Sequence, residues 1–171
     1  GFSSTAAMTL NATGNLDATA LGTNTAFTLT GSSNVDNITG NAGNDVIIGG
    51  GGIDVLVGNA GNDTIQGDAG GDTITGGDGD DHLTGGEGAD GITGGNGGDT
   101  IVLTETTAAI DTVTVALADT GEGDHISAFT NGTGGDVFDF DGSALTDGAA
   151  TGVTTDNAVD EVNAAAVSSA A

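Results

Sequence analysis

The chain of 171 residues has 34 Gly and five Phe but no Pro, Cys, Trp or Tyr, which excludes a large aromatic core and disulfide bonds. Its 25 Asp and Glu residues face no Lys or Arg, so the net charge is −25 and a compact state needs cations from solution. The same charge argues against nucleic acid and anionic membranes as partners, and no apolar run is long enough to span a bilayer.

Residues 1–30 alternate apolar residues with Thr and Asn, which is typical of short strands. Within them, residues 22–30 have the length of the later repeats and place Leu29 at the aliphatic position, but their turn contains no Asp. We therefore predict a metal-free cap of a β-solenoid, or the tail of an upstream domain. The chain starts at Gly1 rather than Met, so we expect it to derive from a longer precursor.

Residues 31–102 consist of eight nonapeptides in phase without a gap: GSSNVDNIT, GNAGNDVII, GGGGIDVLV, GNAGNDTIQ, GDAGGDTIT, GGDGDDHLT, GGEGADGIT and GGNGGDTIV. The first position is always Gly, the sixth always Asp and the eighth always Ile or Leu, while the fourth is Gly in every copy except the first, which has Asn34. A fixed period indicates stacked units that cannot bury their apolar residues alone. Each nonapeptide divides into a six-residue turn and a three-residue strand, so two of them predict one coil of 18 residues.

After residue 102 the pattern of Asp, any residue and an aliphatic or aromatic residue continues at wider intervals, at Asp111, Asp124 and Asp136. The runs DTVTVALA (111–118) and DVFDF (136–140) alternate more regularly and predict longer strands. We expect residues 103–142 to form further coils or a small sheet that closes the roll. Residues 143–171, rich in Ala, Ser, Thr and Asp, are predicted to be a separate segment that is partly helical or frayed.

The repeat GGxGxDxUx, in which U is aliphatic, resembles the calcium-binding nonapeptide of the RTX (repeats-in-toxin) family, found in bacterial surface-layer, adhesin and type I-secreted proteins. The resemblance covers residues 31–102. It implies an all-β fold, a right-handed parallel β-roll (β-solenoid), with calcium held between turns that are 18 residues apart.

The resemblance also implies two rows of calcium ligands, one on each edge of the roll: Asp36, Asp54, Asp72 and Asp90 on one edge, and Asp45, Asp63, Asp81 and Asp99 on the other. Each neighbouring pair in a row would bracket one ion, which gives at most about six ions. The pair of Asp36 and Asp54 is the least regular, because Ser32, Ser33 and Asn34 interrupt the Gly pattern there.

The chemistry of calcium accounts for both residue types, since the ion takes about six to eight oxygen ligands from carboxylates and backbone carbonyls. Gly-rich turns expose such carbonyls. We predict ligands from the backbone of Gly40, Ala42, Gly49, Gly51, Gly58, Ala60, Gly67, Ala69, Gly76, Asp78, Gly85 and Glu87. Ordering a residue costs roughly 1 to 2 kcal/mol, and the one aliphatic side chain of each repeat returns only about 1.5 to 3 kcal/mol. The repeats are therefore predicted to be disordered in chelator and to fold when calcium binds.

Other interpretations of single residues have less support. His82 and His125 occupy outward positions, and no nucleophile or metalloprotease motif accompanies them, so we expect no enzyme. The outward residues Val46, Ile48, Val55 and Val57 reflect either strand propensity or a contact face for a neighbouring subunit. A Thr ladder for ice binding would be broken, because Val55 and Gly91 interrupt it.

Two functions from different classes fit this sequence. The first is a calcium-binding extracellular structural protein, such as a surface-layer, matrix, adhesin or filament subunit, that folds and assembles with calcium. The second is the secretion and folding module of a larger type I-secreted enzyme, such as a protease or lipase. Both place the chain outside a bacterial cell, and self-association in calcium distinguishes them.

Overall fold

The computed structural model describes residues 6–9, 14–21, 25–107, 109–115, 124–127, 137–140 and 154–155. Every regular element in these ranges is a β-strand, and none of them is a helix that could cross a membrane. The strands are β1 Ala6–Thr9, β2 Gly14–Asp17, β3 Phe27–Thr30, β4 Asp36–Thr39, β5 Val46–Gly51, β6 Val55–Ala60, β7 Thr64–Ala69, β8 Thr73–Asp78, β9 His82–Glu87, β10 Gly91–Asn96, β11 Thr100–Val102, β12 Thr112–Val115, β13 His125–Ser127, β14 Val137–Phe140 and β15 Thr154–Thr155.

The strands form two parallel sheets that the chain visits alternately. The odd sheet has the order β1-β3-β5-β7-β9-β11-β13-β15, and the even sheet has the order β14-β12-β10-β8-β6-β4-β2. Strands of the same sheet pair in a register of 18 residues within the repeats, as Ile47 does with Ile65. The predicted parallel β-roll, with two strands in each coil, is therefore confirmed.

The core contains one inward side chain from each strand, stacked along the roll. All eight aliphatic residues of the repeats are buried with at most 1 % of their surface exposed. The stack continues on both sides of the repeats, and it contains Leu16, Leu29, Ile38, Ile47, Leu56, Ile65, Ile74, Leu83, Ile92, Ile101, Val113 and Ile126. Leu29 pairs in register with Ile47, so β3 extends the odd sheet upstream of the repeats.

The strands of the central repeats are longer than the sequence predicted. β5 to β10 each contain six residues rather than three, because the first residues of the following turn continue the pairing. Gly50 and Gly51, for example, pair with Asp68 and Ala69 of the next coil. Positive φ angles allow this, since Gly50 has a φ of 106° and a side chain there would meet the Ser32 carbonyl oxygen.

The strands expected after the repeats are present in part. Of the segment 111–118, residues 112–115 form β12, and of 136–140, residues 137–140 form β14. The rest of residues 116–123 and most of 143–171 lie outside the described residues, so the predicted character of the C-terminal segment stays a prediction. The domain boundaries at residues 30, 102 and 142 also stay predictions.

Candidate metal centre

The sixth residue of each repeat forms two ladders of buried carboxylates, one along each edge of the roll. In each ladder, the Asp backbone N–H donates to Oδ1 of the Asp 18 residues later, at 2.7 to 2.9 Å. The first ladder contains Asp36, Asp54, Asp72 and Asp90, and the second contains Asp45, Asp63, Asp81 and Asp99. All eight side chains are at most 2 % exposed. The structure therefore brings together the two groups of Asp that the sequence predicted.

Both ladders extend beyond the repeats. At the N-terminal side, the N–H groups of Gly14 and Phe27 donate to Asp36 and Asp45. At the C-terminal side, the N–H of Asp90 donates to Asp111 Oδ1 at 2.9 Å, and the N–H of Asp99 donates to Asp124 Oδ1 at 3.0 Å. Asp111 and Asp124 were not among the predicted site residues, although the continuing pattern of Asp, any residue and an aliphatic residue had marked both positions.

The second carboxylate oxygen behaves differently from Oδ1. In Asp54, Asp63, Asp72, Asp81 and Asp90, Oδ2 is buried and has no hydrogen-bond partner. A buried carboxylate oxygen without a partner is costly, and native proteins nearly always satisfy such atoms. The repeats thus use one oxygen for the fold and leave the other one for a cation.

A backbone carbonyl of the next coil approaches each of these oxygens. A Cβ atom built on Gly58 would lie 2.1 Å from Asp63 Oδ2 and 2.7 Å from the Gly76 carbonyl oxygen. The same space recurs where Gly49, Gly67 and Gly76 stand, with the pairs Asp54 and Gly67, Asp72 and Gly85, and Asp81 and Gly94. Carboxylate and carbonyl oxygens are the ligands that calcium prefers, so the residues present fit this ion.

Side chains alone do not form a metal site in the described ranges, where no group of three or more His, Cys, Asp or Glu is arranged to hold an ion. Calcium requires about six to eight oxygens. A site in the roll must therefore take most of its ligands from the backbone, which explains why the turns are rich in Gly.

Comparison with protein families decides the nature of the repeat. The model of the RTX calcium-binding nonapeptide repeat (4 copies) matches residues 30–65, 48–81 and 66–101. Residues 30–101 are RTX calcium-binding repeats. No curated protein matches the chain significantly, and no solved structure does.

The carbonyls predicted as ligands of the RTX repeats fall into two groups. Those of the first position, such as Gly67, Gly76 and Gly85, point into the spaces beside the Asp carboxylates. Those of the third position accept backbone hydrogen bonds from the preceding coil at 2.8 Å, as Ala69, Asp78 and Glu87 do. A carbonyl oxygen has two lone pairs, so the second group retains one for an ion. The ligand role of each single residue stays a prediction.

The first two RTX repeats satisfy their carboxylates with protein groups. Asp36 Oδ2 accepts the N–H of Ser32 at 2.6 Å and its hydroxyl at 2.8 Å, and Asp45 Oδ2 accepts the N–H of Asn41 at 2.8 Å. Although burial opposes it, hydrogen bonds from Ser32 and Gly14 lower the pKa of Asp36. Ser32, which departs from the Gly pattern, thus supplies donors at the site that the sequence marked as least regular.

In the later RTX repeats, burial raises the pKa of the ladder carboxyls in the absence of metal. The pKa of Asp63, Asp81 and Asp90 rises to about 7 and that of Asp72 to about 6, first because of desolvation and further because of neighbouring carboxylates. The pKa of Asp54 is raised for the same reasons. These groups prefer to be neutral unless a cation binds.

The raised pKa values predict opposite effects of acid with and without calcium. A folded pKa above the unfolded one adds stability below the unfolded pKa, near 3.8, and this stability is lost as the pH rises through 6 to 7. In chelator, we therefore expect β-structure to increase as the pH falls from 8 to 5. In calcium, binding should release protons near pH 6.5 and weaken below pH 6, because the ligands must be deprotonated.

Circular dichroism in chelator and calorimetry in two buffers of different ionisation enthalpy measure both effects. Calcium binding with no proton release between pH 6 and 7 would contradict the assignment of the raised pKa values to the ladder carboxyls.

Proposed function

We propose that this chain is an extracellular structural protein whose RTX roll is rigidified by calcium. The observation that carries the proposal is the continuity of the roll, since both sheets run from β1 and β2 to β14 and β15 through the entire described part. The acidic ladders run along the same length. In such an arrangement, the ions are part of the framework rather than a local cofactor.

The charge of the chain supports folding outside the cell. With a net charge of −25 and no Lys or Arg, the compact state depends on external cations to offset self-repulsion. Extracellular calcium modules bind with dissociation constants of about 10⁻⁴ to 10⁻³ M, so export would itself start folding. We therefore propose secretion from a bacterial cell by a type I route, in which the chain leaves unfolded.

Assembly is the second part of the proposal. Val35 and Ile53, at the same position of successive coils on one edge of the roll, are 50 % and 62 % exposed. The predicted contact face is divided, because Val46 and Ile48 lie on β5 of the odd sheet while Val55 and Val57 lie on β6 of the even sheet. Outward apolar residues therefore occur on more than one side of the roll, which suits a subunit with several neighbours.

The proposal assigns no catalysis to this chain. His82 is exposed on β9, and His125 is half-buried on β13. The buried carboxylates are engaged in the ladders, where each Oδ1 holds a backbone N–H. This arrangement supports a framework role for the acidic residues.

Sedimentation velocity during a calcium titration from chelator upward tests the proposal. We expect an expanded monomer to compact first and then to assemble into larger species. Compaction without assembly would contradict the structural role and favour a folding module of a larger secreted enzyme. An unchanged sedimentation coefficient would contradict calcium-dependent folding itself.

A further inference from the structure

The regular metal site ends at Asp90, where the next coil no longer supplies its Gly carbonyl. A Cβ atom on Gly67 would lie 2.5 Å from the Gly85 carbonyl oxygen of the following coil. On Gly85, the three nearest atoms all belong to Asp90, with Oδ2 at 2.3 Å. The cause lies in the sequence, because a loop without the RTX pattern follows β11 and the next ladder residue, Asp111, comes after 21 residues.

Asp90 nevertheless retains the features of a ligand. Its side chain is 2 % exposed, Oδ1 accepts the N–H of Asp72 at 2.8 Å, and Oδ2 is buried without a hydrogen-bond partner. These are the properties of Asp54 and Asp72 in the same ladder, where a carbonyl of the next coil is present. Asp90 therefore needs another oxygen-bearing group in place of that carbonyl.

Glu105, in the loop after β11, has the same division between its two oxygens. Its Oε1 accepts the N–H of Ala109 at 2.6 Å, which fixes the carboxylate within the loop. Its Oε2 is buried and has no hydrogen-bond partner. The loop thus presents one free carboxylate oxygen at the interval where the repeat loses a carbonyl.

The loop is held against the preceding coil on both sides of Glu105. Before it, Leu103 is buried in the core and donates its N–H to the Ser127 carbonyl at 3.1 Å. After it, the carboxylate of Glu87 accepts the N–H of Thr106 at 2.7 Å and that of Thr107 at 3.1 Å. Glu105 is therefore positioned by fixed contacts rather than placed at random on the surface.

Electrostatics show that the two carboxylates interact. After desolvation and the hydrogen bond from Asp72, the charges of Asp111, Asp72 and Glu105 help to raise the pKa of Asp90 to about 7. Uncompensated negative charges in mutual reach are unfavourable in a partly dehydrated site. A divalent cation between them would remove this repulsion and satisfy both free oxygens.

We propose that Glu105 and Asp90 form a further calcium site that closes the first ladder outside the regular RTX pattern. The Glu105 carboxylate takes the place of the Gly carbonyl, and Asp111 fixes the backbone of Asp90 through its Oδ1. Calcium is the ion of choice because all the ligands are hard oxygens. This inference rests on calcium binding by the repeats and adds a side-chain ligand that the nonapeptide does not contain.

Native mass spectrometry of the full chain in calcium, together with a calcium-electrode titration, tests this site. Glu105→Gln keeps the acceptor for Ala109 but loses the charge, and we expect it to bind one ion fewer or to weaken one site by about tenfold or more. The control, Asp80→Asn, removes the same charge from an exposed side chain of the same roll. It should bind as many ions as the unmodified chain.

An ion count and affinity for Glu105→Gln equal to those of the unmodified chain would overturn the inference, and Oε2 would then carry a proton. If Glu105→Gln does not fold, Glu105→Asp serves instead, since it keeps the charge on a shorter side chain. A weaker last site in Glu105→Asp supports the proposal, and unchanged binding overturns it. Failure of the unmodified chain to bind calcium would instead contradict the proposed function.

Discussion

Asp72→Asn is expected to raise the calcium concentration at which the roll folds by about tenfold or more. Asp72 lies in the middle of the first ladder and belongs to two neighbouring pairs, with Asp54 and with Asp90. Asn keeps an acceptor oxygen for the Asp54 N–H, so the hydrogen bond of the ladder survives. Only the charge at the free oxygen is lost, and this isolates the contribution of the metal.

Far-UV circular dichroism during a calcium titration measures this effect. The matched control is Asp80→Asn, because Asp80 is exposed and its Oδ1 accepts the Gly98 N–H at 3.0 Å, which Asn can also accept. It lowers the net negative charge equally but should leave the midpoint nearly unchanged. Equal shifts in the two variants would mean that overall charge, and not the buried ladder, controls folding.

Gly70→Ala is expected to prevent the roll from forming even in saturating calcium. Gly70 has a φ of 143°, and an added Cβ would lie 1.5 Å from the Gly52 carbonyl oxygen of the preceding coil. That atom belongs to the backbone of a stacked turn, so it cannot move aside without separating the two coils. We expect loss of β-structure in the central repeats.

Gly91→Ala provides the control for this prediction. The nearest atom to its added Cβ is the Asp72 carbonyl oxygen at 3.9 Å, an ordinary contact. The same chemical change should therefore be neutral or slightly stabilising, because Ala restricts the unfolded chain. Circular dichroism and thermal unfolding in calcium compare the two variants, and a normally folded Gly70→Ala would contradict the close stacking of the turns.

The period of the sequence was sufficient to predict the coil, the core and the rows of Asp. A residue repeated every nine positions must recur at the same place of each coil, so Ile65 and Ile74 had to lie in the two opposite sheets. The family match independently identifies residues 30–101 as calcium-binding repeats. Regular patterns are readable because every copy obeys the same geometric constraint.

Features that occur once were not predictable in this way. The hydrogen bonds of Ser32 to Asp36 replace a cation with protein donors, and this depends on one local turn. The position of Glu105 depends on the path of a loop that no repeat specifies. The division of labour between Oδ1 and Oδ2 likewise requires the spacing between coils, which the sequence does not contain.

Hydrogen–deuterium exchange of the full chain, in calcium and in chelator, tests most directly whether cations hold this fold together. In calcium, the amides of the central repeats should be strongly protected, including those of Asp54, Asp63 and Asp72, which donate to the ladder. In chelator at pH 8, the same amides should exchange at the rate of an unfolded chain. Equal protection in both conditions would contradict the account.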